Sequence, residues 1–279
     1  MKTTLLAGAA LAIGLTGAHA ADFGQPVQDA PYLPPLAGEP VVSSASGWYL
    51  RGDVGYAWNR SKGVNFFQGS SATYSSFDTA ELRSSYTVGG GVGYQATRRL
   101  RFDATLDYIG KTDFTGSTSG SCGVATDCVS TDLADFTAYS LLANVYVDVA
   151  TWGRVTGYVG GGIGGTYVDW DNLSNTSCDA ADSTSCDPTV WHEGDGSWRF
   201  TYALMAGASV DLTCALKADV GYRFRNVEGG RMFGYALGGG PGYDEGFQSH
   251  EVRGGLRYSF GGCETPPEPP VYMPPPVYK

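Results

Sequence analysis

The sequence predicts an all-β fold, an eight-stranded antiparallel transmembrane up-and-down β-barrel. Three observations lead there. Eight segments alternate apolar and polar residues with a period of two, the mark of a strand between two unlike environments. One face of these segments is rich in aromatic and aliphatic side chains, whereas the other carries Arg and Asp, which a dry core does not accept without partners. The connections alternate short and long, the asymmetry expected of short periplasmic turns and long extracellular loops. A soluble β-sandwich has similar strand spacing, but it would bury its inward faces, and these carry charge.

Composition agrees. With 41 Gly, 18 Tyr and a charged fraction of 16%, the chain of 279 residues suits tilted strands with aromatic girdles. A net charge of −10 argues against nucleic acid as a partner, because phosphate binding needs a basic surface.

The chain opens with Lys2, an apolar run from Leu5 to Gly17, and Ala18-His19-Ala20. This pattern is a signal peptide over 1–20, cleaved between Ala20 and Ala21. The run is too short to span a bilayer as a helix. Residues 21–46, rich in Pro, Ala and Ser, read as an extended periplasmic leader.

The barrel itself is expected over 47–260. The first strand, Trp48 to Trp58, turns Trp48, Leu50, Val54, Tyr56 and Trp58 outward. The second, Ser84 to Gln95, presents Tyr86, Val88, Val92 and Tyr94. The third, Leu100 to Ile109, presents Phe102, Ala104, Leu106 and Tyr108. The fourth, Phe136 to Val149, is less regular, with Tyr139, Leu141, Ala143, Val145 and Val147 outward. The fifth, Arg154 to Trp170, is glycine-rich and turns out Val155, Val159, Ile163 and Tyr167. Phe200, Tyr202, Leu204 and Val210 mark the sixth, Trp198 to Leu212. Leu216, Val220, Tyr222 and Phe224 mark the seventh, Leu216 to Val227. In the eighth, Ser249 to Phe260, Val252, Gly254, Leu256, Tyr258 and Phe260 share one face. Short turns are expected at 97–99, 151–153 and 213–215, and long connections after the odd strands. An even strand count leaves both termini in the periplasm.

Gly47-Trp48-Tyr49-Leu50-Arg51-Gly52-Asp53-Val54-Gly55-Tyr56, the Gly-x-Gly-Tyr of Gly91 to Tyr94 and the ending from Arg253 to Phe260 carry a family resemblance. The chain resembles the small outer-membrane barrels of alphaproteobacteria, a porin-like surface-antigen family related to the OmpA and OmpX type. The resemblance implies the outer membrane of a Gram-negative bacterium as location, with lipid, lipopolysaccharide and the barrel-insertion machinery as partners. Arg253, Gly255, Tyr258 and Phe260 resemble the carboxy-terminal insertion signal of such barrels. Family members often end at that Phe, whereas this chain continues through 261–279.

Eight strands leave an interior just wide enough for side chains to fill. Arg51, Asp53, Arg101, Asp103, Asp107, Asp219, Arg223, Arg225, Arg253 and Arg257 are expected to pair there as a plug. Asp53 with Arg253 or Arg257 would close the first strand on the last. A narrow porin-like path for ions or small solutes is the alternative.

The six Cys suit an oxidising compartment. Topology pairs Cys122 with Cys128 and Cys178 with Cys186, each within one loop, and Cys214 with Cys263 at the turn end. A metal site is the competing reading, but no pair has C-x-x-C spacing. Between Asp171 and Ser197 the loop is acidic, and Asp169-Trp170-Asp171-Asn172 lacks the Gly and distal Glu of a calcium loop. Gly160, Gly162 and Gly165 match a dinucleotide fingerprint in letters only, since no helix follows.

No enzyme activity and no cofactor are expected. Ser249, His250 and Glu251 are adjacent on a strand and point to opposite faces, so they do not converge. The Pro-rich tail, 261–279, repeats Pro-Pro-Val-Tyr and favours polyproline II, reaching roughly 60 Å at about 3.1 Å per residue. It reads either as a tether to peptidoglycan or a periplasmic protein, or as an extension without a partner.

Overall fold

The computed structural model describes residues 47–68, 73–237 and 239–260. The signal peptide, the Ala20–Ala21 cleavage site, the leader, Cys263 and the Pro-rich tail all lie outside the described residues. Eight long strands make the wall: β1 (Gly47–Ser61), β2 (Ser85–Gln95), β3 (Leu100–Ser117), β4 (Cys128–Trp152), β5 (Val155–Trp170), β6 (Gly196–Asp211), β7 (Leu216–Phe233) and β8 (Gly239–Ser259). Each pairs antiparallel with its neighbours in this order, and β8 returns to pair with β1. The closing register sets Leu50 opposite Tyr258, Val54 opposite Gly254 and Tyr56 opposite Val252. Closure gives the wall's backbone groups partners where no water reaches them.

The outward apolar residues form a band. Trp48, Leu50, Val54, Leu106, Ile163, Leu204 and Leu256 are among its exposed members. Aromatic rings border it on both sides, as the two interfaces of a bilayer favour. Tyr86, Tyr108 and Tyr139 run in a row, with centroids 6.2 and 5.2 Å apart, and Tyr167 meets Trp198 at 5.6 Å. At the opposite border, Trp48 packs edge-on against Tyr94 and Tyr258 against Phe260, both at 5.4 Å.

The three short turns are at the latter border. In two of them a Thr hydroxyl takes up the next backbone donors: Thr97 accepts from Arg99 and Leu100, and Thr213 from Ala215 and Leu216. The third bends at Gly153, whose φ of 59° is a conformation that residues with a Cβ adopt at a cost.

At the long-loop end the structure departs from the sequence-based expectation. The strands do not stop at the aromatic border. β3 continues to Ser117, β4 begins at Cys128, and β7 and β8 leave only residues 234–238 between them. The expected long connection between the last two strands is thus mostly ladder. Short strands extend the wall further, including Leu173–Asp179 on β4 and Val64–Gln68 on β8.

Beyond the border the pattern of faces inverts. On β3 the outward series Phe102, Leu106 changes to Lys111, Asp113, and the inward series Arg101, Asp103, Asp107 changes to Ile109, Phe114. A bulge between Ile109 and Thr112 shifts the parity at the changeover. The inward residues there form one apolar cluster that includes Ile109, Phe114, Phe136, Val168, Trp170, Val227 and Phe247. The cause is the solvent. Lipid requires an apolar exterior and leaves the interior polar, whereas water requires the reverse.

Candidate functional site: the barrel interior

Within the apolar band the interior is a network of ion pairs. All ten charges proposed for the lumen lie inside the wall. Arg51 bridges Asp53 and Asp103, each at 2.8 Å. Arg253 reaches Asp53 at 3.0 Å across the β1–β8 seam and Asp107 at 3.6 Å. Arg257, the other candidate for the seam, turns to Asp219 at 3.2 Å and to the Ser209 hydroxyl at 2.9 Å. Gly255 faces the lumen beside them, and a Cβ there would run into the Asp53 carboxylate.

Midway along the band, Arg223 donates to Asp107 at 2.6 Å and through Nε to Glu251 at 2.8 Å. Arg225, stacked beside it, reaches Glu251 at 3.1 Å and Asp107 at 3.4 Å. Glu251 is fully buried and central, yet it is absent from the proposed set. Asp148, 3.7 Å from Arg101, is a second omission. Both were discoverable from the period of two. With them, Arg51, Arg101, Arg223, Arg225, Arg253 and Arg257 face an equal number of carboxylates: Asp53, Asp103, Asp107, Asp148, Asp219 and Glu251.

Three inward tyrosines complete this layer. Arg101 lies over the Tyr146 and Tyr158 rings at 4.6 and 4.5 Å, and the Tyr49 hydroxyl donates to Asp103 at 3.1 Å. Cation–π contacts of this kind help a guanidinium tolerate burial. Above the charges, the hydroxyls of Thr201, Thr166 and Ser140 bond in series at 2.7 and 3.0 Å. The apolar cluster follows. Within it Arg199 pairs with Asp244 at 2.6 Å, and the Trp170 indole donates to the same carboxylate at 3.1 Å. Asp244 lies beyond the band, and its burial pushes its carboxyl pKa up, an effect that Arg199 opposes.

The remaining sequence-derived residues fall as follows. Disulfides join Cys122 to Cys128 and Cys178 to Cys186. Tyr258 and Phe260 face outward, whereas Arg253 and Gly255 face the lumen. Ser249 bonds Asn59 inside at 2.6 Å, His250 bonds Tyr222 outside, and Glu251 holds Arg223 inside. The trio therefore does not converge. Gly160, Gly162 and Gly165 all lie in β5. Asp169 points outward and Trp170 inward.

A closed wall with an apolar belt and a charged lumen defines a transmembrane β-barrel. The family model for the outer membrane protein beta-barrel domain matches residues 8–260, and the chain belongs to that family. Uncharacterized proteins of Brucella abortus (strain 2308) and Brucella suis biovar 1 (strain 1330) are 34% and 35% identical, over 88% of this chain and 95% of theirs. Among solved structures, OprG from Pseudomonas aeruginosa is similar at 12% identity and a TM-score of 0.46, covering 78% of this chain and 98% of that one. Neisserial surface protein A is similar at 18% identity and a TM-score of 0.40, covering 77% and 98%.

Proposed function

We propose that the protein is a non-catalytic outer-membrane barrel with a sealed lumen, which supports envelope integrity and displays its disulfide-bonded end at the cell surface. The observation that carries this reading is that the interior is filled in two ways in succession. Paired charges fill the section inside the band, and packed aromatic residues fill the section beyond it. Neither layer resembles the water-filled lumen of larger porins. In this reading the termini are periplasmic, lipopolysaccharide surrounds the long-loop end, Tyr258 and Phe260 engage the insertion machinery, and the tail reaches peptidoglycan or a periplasmic protein.

An epitope inserted between Asp182 and Ser183, in an exposed turn, tests the orientation and the role together. Antibody should label intact cells, and deletion of the protein should raise uptake of bulky dyes. Labelling only after permeabilisation, or a deletion that lowers small-solute uptake and leaves the envelope tight, would contradict the proposal.

A further inference from the structure

The long-loop end holds a cavity of about 530 Å³ above the apolar cluster. Its volume lies within the range of small-molecule sites, which commonly occupy the mouths of barrels. Phe66, Phe77 and Phe233 form one wall, with Phe77 at 5.4 Å from Phe66 and 6.5 Å from Phe233 between ring centroids. Asp132 and His192 also line it, on the two strands that flank Leu173–Asp179, and the His192 ring packs on Phe233 at 4.9 Å between centroids.

Asp132 is buried, and its two oxygens accept from Ser130 and from Asn175 (2.6 Å for the latter). Neither donor is a cation, and no Lys or Arg is among the residues that line the cavity. A carboxylate has room for further donors beyond these two. His192 is also more than nine-tenths buried, with its Nδ1 3.1 Å from the Gly234 carbonyl. That carbonyl can only accept, so Nδ1 carries the hydrogen, and in that tautomer Nε2 is the acceptor. The cavity thus offers two acceptors, a negative charge and an aromatic wall that favours cations over its faces.

We propose that this cavity is a binding site for a small organic ammonium ion: the ammonium bonds Asp132 and the His192 Nε2, and its hydrocarbon part lies against the phenylalanines. The site is closed below by the apolar cluster, so it captures a ligand at the surface without passing it through the wall. The proposal stands independently of the sealed-lumen reading, because the site lies above the charged layer.

Isothermal titration calorimetry on the full chain in lipid nanodiscs, with phenethylammonium as probe, tests this. The amine should bind saturably, and 2-phenylethanol, of the same shape but neutral, at least tenfold more weakly. Asp132→Asn should weaken amine binding at least tenfold, whereas Asp182→Asn, in the exposed acidic turn, should leave it unchanged. Gly120→Trp is the second variant. A Cβ at this lining glycine would have only the Gln68 amide nearby, at 3.8 Å, so a bulky side chain there meets no backbone at its root and is expected to obstruct the cavity. It should abolish binding, and it decides the question if Asp132→Asn fails to assemble. Unchanged amine binding in either variant, equal binding of the alcohol or of phenylacetate, or no saturable binding by the wild-type chain would overturn the assignment.

Discussion

Glu251 shows how one buried charge depends on its neighbours. It faces Arg223 and Arg225, and all three side chains are buried. Glu251→Ala leaves both arginines short of a counter-charge and should cost about 3–5 kcal/mol in urea unfolding of the lipid-inserted protein; a loss below about 1 kcal/mol would mean that the pair is solvated. The ten proposed lumen charges were legible because inward residues recur every second position. Glu251 and Asp148 carried the same signal. Tyr49, Tyr146 and Tyr158 carried it too, each at inward parity beside Trp48 and Leu50, Val145 and Val147, or Val159, but an aromatic residue in such a chain reads first as a lipid contact. Asp132 and His192 were hidden for another reason: their meeting depends on a strand pairing between segments some 40 residues apart. Asp132 also gives a pH dependence. It lies beyond the band, and burial raises its carboxyl pKa above the ordinary 3.8, an effect that the hydrogen bonds from Ser130 and Asn175 and the nearby His192 oppose. The native state therefore holds this proton more tightly than the unfolded chain, and ionisation at neutral pH opposes folding. Asp132→Asn should be the more thermally stable protein at pH 7, with the difference shrinking as pH falls toward 3.8. A difference that grows on acidification would contradict the assignment.

A single strand crosses two solvents. In β3 the outward residues are apolar up to Tyr108 and polar from Lys111 on, while the inward residues change the other way. Sequence periodicity located the first half of this strand and ended it at Ile109, because the bulge before Thr112 breaks the alternation and the faces exchange character beyond it. The same inversion explains why β4 looked irregular: its inward side passes from Asn144 and Ser140 to Phe136 and Ala134. The two halves should respond oppositely to charge. Leu106→Arg, at an exposed site inside the band, should cost about 2–4 kcal/mol in folding into bilayers. Phe136→Ala, in the apolar cluster, should cost about 3–5 kcal/mol and make the long-loop end sensitive to protease. If Leu106→Arg proves neutral, lipid does not cover that face. Reduction of the two described disulfides should open only the segments they close, 122–128 and 178–186, and leave the wall protected from proteolysis.

The described long strands form a closed wall whose contents change with the medium outside it. Strand number, order and the lipid-facing residues were readable from the sequence, because a bilayer imposes the same period on every crossing strand. The extension beyond the membrane was not, because there the chain obeys the rules of a water-soluble barrel and those segments resemble loops in composition. The sealed-lumen proposal rests on both layers: charges pair with one another inside the band, and aromatic rings pack in the section above. Recording from pure protein in a planar bilayer tests this directly. The membrane should stay at its baseline current after insertion, with Glu251→Ala and Phe136→Ala together needed before openings appear. Steady, ion-selective openings from the wild-type protein would contradict the sealed lumen.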